Sequence, residues 1–205
     1  MQISLKVNSF VLKLLHSSES DGQLWAVFDE LEEIDCLEEL AKYSSEKGLL
    51  EQELMHPERN GSVPILRLNG VTAKSKQEIS WVLQQLIAKT ELADFLPLCE
   101  DFFSSNSDPI EILDIPLLVK IKADETQIPK IQNQSWRFHV RVYGYLVNEK
   151  TLLVLGHCIR TTPSLQDCPR TDAVYQKIKK MHKAIKKTTN LESALKTNTK
   201  IKITL

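Results

Sequence analysis

The stretch Trp136-Arg137-Phe138-His139-Val140-Arg141-Val142-Tyr143-Gly144-Tyr145-Leu146-Val147 shows the clearest pattern in this chain of 205 residues. One set of alternate positions is apolar or glycine, and the positions between them are mostly arginine, histidine and tyrosine. Side chains of a β-strand point alternately to opposite faces, so the pattern predicts a strand with one apolar and one polar face. Asn148-Glu149-Lys150 then predicts a turn, and Thr151–Ile159 a returning strand. The sequence therefore predicts a β-hairpin.

A helix and a short strand are predicted after the hairpin. Pro163–Pro169 is typical of a loop, and Thr171 or Asp172 can cap the start of a helix. The apolar stripe of that helix recurs at steps of four, three and four residues, at Val174, Ile178, Met181 and Ile185. The last five residues, Ile201–Leu205, alternate as a strand does.

The N-terminal residues, as far as about Leu15, predict a strand or a bent pair of strands. Apolar residues at steps of three and four from Leu24 to Tyr43 predict an amphipathic helix. We expect its outer face to carry seven carboxylates, which are Asp29, Glu30, Glu32, Glu33, Asp35, Glu38 and Glu39.

A second strand and a second helix are expected in the same half of the chain. Val63–Leu68 predicts a short strand that the turn pair Asn69-Gly70 closes. A helix from about Ser75 to Leu96 follows, with Ser75 and Glu78 spaced as a capping box. Beyond Pro109, the proline-interrupted run Ile110–Ile121 favours an edge strand or an irregular segment.

These elements predict an α+β fold. Residues 1–103 form an acidic segment of short strands and two helices, residues 104–109 are a candidate linker, and residues 110–205 form a basic, β-rich segment that a lysine-rich helix closes. The two segments are either two domains or one continuous core. The composition, with 42% hydrophobic and 26% charged residues, is ordinary for a folded soluble protein.

Charge is divided unevenly along the chain. Residues 1–110 contain 9 Lys/Arg and 19 Asp/Glu, whereas residues 111–205 contain 17 and 8, so that a net charge of −1 conceals two halves of opposite sign. Residues 168–205 hold ten Lys/Arg, which only Asp172 and Glu192 oppose. This asymmetry indicates that one end meets a polyanion or that the two ends meet each other.

Eight residues are candidates for contact with nucleic acid. Guanidinium groups can bind phosphates while tyrosine rings stack on unpaired bases, and lysines add salt-dependent phosphate contacts. The candidates are Arg137, Arg141, Tyr143 and Tyr145 on the polar face of the hairpin, and Lys179, Lys180, Lys183 and Lys187 on the last helix. The alternatives are that the hairpin residues only make cross-strand pairs, and that the lysine helix meets an acidic protein.

The hairpin, loop and helix, from Trp136 to Lys187, resemble the closing part of an OB-fold, similar in order to the middle subunit of replication protein A and its telomeric relatives. The shared features are the glycine-centred strand Val140–Leu146, the return strand Leu152–Ile159 and a helix that starts near Asp172. The resemblance implies a partly open five-stranded barrel. Its exposed face would bind single strands, and its helix would join a bundle with partner subunits.

A second resemblance involves Gly61–Gly70 followed by Ser75, which is similar to the Val-Pro strand and helix of the glutathione-transferase thioredoxin domain. It implies a cis peptide bond at Pro64 and a role for Ser75 in binding the γ-glutamyl carboxylate. A glutathione-transferase-like protein is therefore a remote alternative.

Function is expected to be non-enzymatic. The cysteines Cys36, Cys99, Cys158 and Cys168 lack zinc-site spacing, no glycine-rich phosphate loop occurs, and no apolar window is long enough to span a membrane. We expect a subunit of a complex for DNA replication, repair or telomere maintenance. Its expected location is the nucleus, with the cytosol as the alternative. It would contact protein subunits and single-stranded nucleic acid, with no catalytic residue, metal, cofactor, membrane or small-molecule substrate. The competing hypothesis is a scaffold that binds only proteins.

Overall fold

The computed structural model describes residues 9–57, 65–102, 115–123, 139–160 and 168–205. Within these ranges the architecture is mixed α and β, with five α-helices and an eight-stranded sheet. In chain order the elements are β1 (Ser9–Ser17), β2 (Gln23–Asp29), β3 (Ile34–Asp35), α1 (Cys36–Ser45), α2 (Leu49–Leu54), α3 (Ile65–Glu91), a 3-10 turn (Leu96–Leu98), β4 (Glu100–Asp101), β5 (Leu117–Ile121), β6 (His139–Asn148), β7 (Thr151–Arg160), α4 (Pro169–Lys187), α5 (Leu191–Thr197) and β8 (Lys200–Thr204).

The strands form one open sheet in the order β4-β5-β6-β7-β2-β1-β8, and β3 pairs with the end of β2. Strands β2 and β7 run parallel over Gln23–Ala26 and Thr151–Val154, whereas the other described pairs are antiparallel. The barrel that the OB-fold resemblance implies is therefore not formed by the described strands. Because β1 to β3 come from the acidic segment and β5 to β8 from the basic one, both segments contribute to the same sheet. The candidate linker, residues 104–109, lies outside the described residues.

Helices cover both faces of the sheet. Helices α1, α2 and α3 bury one face with residues such as Leu40, Leu50 and Leu86. Helices α4 and α5 bury the other, where Trp25 of β2 packs in the same apolar cluster as Met181. Removing a large apolar side chain from water contributes roughly 1.5–3 kcal/mol, so burial in these two layers is the main favourable contribution to folding.

The predicted hairpin is confirmed as β6 and β7, which pair from His139 with Arg160 to Asn148 with Thr151. The final helix is confirmed as α4, whose buried residues include Ile178, Met181 and Ile185, and the final strand as β8. The predicted cap was wrong, since the helix already begins at Pro169 after Cys168 and Thr171 and Asp172 lie within its first turn. Helix α5, between α4 and β8, is an element that the sequence pattern did not predict.

The helix predicted from Leu24 to Tyr43 is wrong over its first half. Leu24–Phe28 is an unbroken apolar run, which is typical of a strand covered on both faces, and it forms the interior strand β2. The helix begins only at Cys36, because Asp35 accepts hydrogen bonds from the amides of Leu37 and Glu38 while Glu38 accepts one from the amide of Asp35. The seven carboxylates therefore do not form one helical face, and Asp35 is buried.

The strand predicted over Val63–Leu68 and the turn at Asn69-Gly70 are wrong for the described part, since α3 is already helical at Ile65. Ser75 lies inside this helix and is buried, so it neither caps a helix nor stands where a glutathione-binding serine would. Pro64 lies outside the described residues. Packing of Val71, Ile79 and Val82 against the sheet outweighs the poor helix propensity of Asn69 and Gly70.

Glu78 joins α3 to the sheet by a hydrogen bond. Its side chain is almost fully buried, and its Oε2 accepts a hydrogen bond of 2.8 Å from the backbone amide of Val140 in β6. Its Oε1 lies 3.6 Å from Nζ of Lys74. A buried carboxylate is costly unless it is paired, so these two partners make the position tolerable and fix the helix against β6.

Gly22, at the start of β2, allows the end of α3 to approach the β1–β2 turn. A Cβ atom at this residue would lie 2.0 Å from the carbonyl oxygen of Thr90, a distance that requires the backbone to move. We therefore expect Gly22→Ala to lower the free energy of unfolding by about 1–3 kcal/mol in urea denaturation, because the backbone must shift to make room.

Gly156→Ala is the matched control, because its nearest atom beyond the chain neighbours would be 3.9 Å from the new Cβ. We expect a change of at most about 1 kcal/mol in either direction. Equal stabilities for the two variants would show that the contact with Thr90 does not constrain the fold.

Candidate functional sites

The predicted stacking surface of the hairpin is not exposed. Tyr143 is 2% and Tyr145 is 4% exposed, because α4 and α5 cover this face of the sheet. The ring of Tyr143 packs edge-on against Phe102, with centroids 5.2 Å apart, and the ring of Tyr145 lies 5.5 Å from that of His182. Burial raises the pKa of both phenols. The expectation that these tyrosines lie on an exposed face was therefore wrong.

Of the two arginines of the predicted site, only Arg141 lies within the described residues. Arg141 is half-buried, and its Nη1 donates a hydrogen bond of 3.3 Å to the carbonyl oxygen of Val140. Arg137 lies outside the described residues. The hairpin thus offers no described aromatic surface on which a base could stack.

The four predicted lysines lie together along α4, away from its buried stripe. We call Lys179, Lys180, Lys183, Lys186 and Lys187 the lysine ridge. Within the described residues, no carboxylate forms an ion pair with any of them. Lys179 is half-buried, with Nζ 5.1 Å from the ring centroid of Tyr175, and the other four are exposed. Lys186 was not among the predicted residues, although its spacing from Lys179 and Lys183 would have identified it.

A smaller cationic group at the edge of the sheet was also missed. Nζ of Lys13 and Nζ of Lys200 lie 4.9 and 4.5 Å from the ring centroid of Phe28. These residues come from β1, β8 and β2, which are neighbours only in the folded sheet. The erroneous helix prediction for Phe28 concealed the arrangement.

A crevice opens where the parallel strands separate. Strands β2 and β7 pair as far as Ala26 and Val154, after which Phe28 pairs with Asp35 of β3 instead. The crevice, of about 470 Å³, lies between Val27 of β2 and Leu155–Ile159 of β7. Helix α1 follows β2 on one face of the sheet and α4 follows β7 on the other. Ligands of open α/β sheets commonly bind in such a position, beyond the carboxyl ends of strands whose connections leave in opposite directions.

Charged and aromatic side chains converge on this crevice. His157, whose side chain is 8% exposed, has its Nε2 atom 3.5 Å from Oε2 of Glu39. That distance permits Coulomb attraction, but His157 Nε2 makes no hydrogen bond within the described structure. Tyr43 packs edge-on against the imidazole, with ring centroids 6.0 Å apart.

The opposite wall of the crevice begins α4. Arg170 donates from Nε and Nη2 to both carboxylate oxygens of Glu53 in α2, with the Nε to Oε1 distance at 3.1 Å. A bidentate ion pair fixes the relative orientation and the distance of its two side chains, so this pair holds the start of α4 close to α2 across the crevice. Lys177 also lines the crevice and is exposed.

Two ionisable groups of the crevice, Glu39 and Cys36, have pKa values shifted in opposite directions. The imidazole of His157, 3.5 Å from the Glu39 carboxylate, is the main cause of a lowered pKa of this carboxyl, so the carboxylate is ionised at neutral pH. Burial raises the pKa of the Cys36 thiol to about 12, which leaves the thiol protonated and a poor nucleophile. All four cysteines are free and buried.

Among the described residues, no group of three or more His, Cys, Asp or Glu side chains is arranged to hold a metal ion. None of the described helices is long and apolar enough to cross a membrane. No protein-family model, curated protein or solved structure matches the chain. The lysine ridge and the crevice are the candidate sites that the described residues form.

Sequence reasoning missed the crevice because its position depends on the parallel pairing of β2 with β7. The local signals are Gly156-His157, which follows the apolar run of residues 152–155 within β7, and Pro169 at the start of a helix. Neither signal identifies a site without the knowledge that α1 begins beside them.

The ion pair between Glu39 and His157 predicts a measurable pH dependence. Since the folded-state pKa of Glu39 lies below the ordinary 4.5, its contribution to stability is present above that value and is lost as the pH falls through the lowered pKa. We expect the melting-temperature difference between wild type and Glu39→Gln to shrink between about pH 6 and about pH 3.

An NMR titration of the side-chain carboxyl carbon gives the direct measurement. Its midpoint should lie below 4.5 in the wild type and move toward 4.5 in His157→Gln, because the neighbouring imidazole is removed. A midpoint that is the same in both proteins would contradict the assigned cause.

Proposed function

We propose that this protein is a non-enzymatic nuclear subunit of a nucleic-acid-associated complex and that the lysine ridge of α4 contacts the phosphate backbone. The main support for this proposal is the row of five lysines, none of which forms an ion pair with a described carboxylate. From Lys179 to Lys187 the ridge extends about 12 Å along the helix axis, enough for several consecutive phosphates. Four of the five lysines are exposed, and phosphates that bind their ammonium groups release condensed counterions, which favours binding.

The proposed mode of binding follows from the burial of Tyr143 and Tyr145. Without their rings, affinity comes from charge, and charge alone does not distinguish base sequence. A duplex has a higher charge density than a single strand, so we propose that duplex DNA binds at least as tightly as single-stranded DNA. This replaces the expected preference for single strands.

The acidic residues of the β2–β3 connection suggest where partner subunits bind. Asp29, Glu30, Glu32 and Glu33 are exposed, and Leu31 between them is 92% exposed. An apolar side chain displayed within a cluster of carboxylates suits a partner that offers a basic rim around a small apolar pocket. We propose this connection as the contact with other subunits.

The nucleic-acid proposal is tested by replacing Lys179, Lys180, Lys183 and Lys187 with Gln. Affinity for duplex oligonucleotides should fall for all sequences, and the slope of log affinity against log salt should decrease by about 3 to 4, because each lost phosphate contact removes about 0.9. Fluorescence anisotropy between about 50 mM and about 200 mM salt measures both quantities.

The matched control replaces Lys47, Lys76, Lys89 and Lys150 with Gln, which changes the net charge equally but leaves the ridge intact. Since the ridge lies off the buried stripe, neither variant should lose its fold by circular dichroism. An unchanged salt slope in the ridge variant overturns the proposal. If that variant instead loses a co-purifying acidic protein, the ridge binds protein and the scaffold hypothesis is correct.

A further inference from the structure

The crevice between β2 and β7 is a separate feature that the lysine ridge does not explain. It lies directly after the point where the parallel pairing of β2 with β7 ends, with the first turns of α1 and α4 on either side. Its volume of about 470 Å³ is within the range of roughly 300–1,000 Å³ that small-molecule sites occupy. Position and size together indicate a binding site for a small molecule, a kind of partner that the sequence did not predict.

His157 places a buried ring nitrogen that lacks a hydrogen bond in the wall of the crevice. Its side chain is more than nine-tenths buried, and its Nε2 atom has no hydrogen-bond partner in the described part of the chain. A buried ring nitrogen in this condition costs free energy that a bound ligand atom could recover. Oε2 of Glu39, 3.5 Å away, belongs to a side chain that is 58% exposed.

The α4 side of the crevice carries the positive charge that an anionic ligand would face, whereas the carboxylates of the lining, Glu39 and Glu53, come from α1 and α2. Helix α4 has 19 residues and begins in the crevice, so its N-terminal end presents the positive pole of the helix dipole there. Lys177, two turns further on, also lines the crevice and is in no ion pair with a described residue. The acidic residue of the first turn, Asp172, is not in the crevice wall.

The remaining walls are apolar. They consist of side chains from both strands and from α4, which are Val27, Leu155, Ile159, Val174 and Ile178. Such walls favour a ligand with an aliphatic or flat aromatic body beside its charged group, since burial of that body removes apolar surface from water.

We propose that this crevice binds a phosphate-bearing small molecule of about mononucleotide size. The phosphate lies against Lys177 and the start of α4 and accepts a hydrogen bond from Nε2 of His157, while the body of the molecule packs on the apolar walls. Glu39 competes with the phosphate for His157. Removal of the Glu39 charge should therefore tighten binding.

Calorimetric titrations with AMP, inorganic phosphate and adenosine test the proposal. We expect AMP to bind with a dissociation constant below about 1 mM and more tightly than either part alone, because phosphate and body contribute together. Lys177→Gln should weaken AMP binding about tenfold, and Glu39→Gln should strengthen it, because each changes the charge that faces the phosphate. In the wild type, AMP should shift the NMR signal of the His157 ring Nε2.

Lys183→Gln is the matched control, since it removes the same charge from the same helix at a position outside the crevice. It should leave AMP binding unchanged, and Lys177→Gln should leave the salt slope of duplex DNA binding unchanged. The crevice and the ridge are thus tested separately.

Three results would overturn the inference. They are the absence of saturable AMP binding, adenosine binding as tight as AMP binding, and AMP binding that neither Lys177→Gln nor Glu39→Gln alters. The histidine signal keeps the test informative even if His157 cannot be replaced without loss of the fold, because it is read from the unaltered protein.

Discussion

The parallel pairing of β2 with β7 is the constraint on which the rest of the molecule depends. Four residues of each strand, Gln23–Ala26 and Thr151–Val154, join parts of the chain that are more than 120 residues apart. Their pairing places the acidic and basic segments in one sheet. It also places the start of α1 and the start of α4 at the same end of the paired strands, on opposite faces of the sheet. The crevice lies between them, where the two strands separate.

Covering both faces of the sheet changes what an alternating strand means. In β6, Val140 and Val142 face one helical layer, whereas Tyr143 and Tyr145 face the other. A strand in such a sheet has no solvent face, so polar and aromatic residues that would suit an exposed surface are accommodated inside by ring packing and by isolated polar contacts. The contact of 3.6 Å between the Tyr143 hydroxyl and the Cys158 thiol is one of these.

Helix α4 connects the two proposed functions. Its first turns form one wall of the crevice, held there by the pair between Arg170 and Glu53, and its later turns carry the lysine ridge. The buried stripe of Ile178, Met181 and Ile185 fixes the rotation of the helix on the sheet. That rotation determines which lysines remain in solvent and directs Lys177 toward the crevice, so both sites depend on the same apolar packing.

Local sequence determined the β6–β7 hairpin, α4, β8 and the lysine ridge, because each depends on periodicity between near neighbours or on a side chain that stays in solvent. It could not determine that Leu24–Phe28 is a strand, since a short apolar run suits a helix or a strand until its sheet neighbours are known. Burial of Tyr143 and the meeting of Glu39 with His157 were likewise decided only by tertiary structure. Both follow from pairings between distant segments, which no local pattern records.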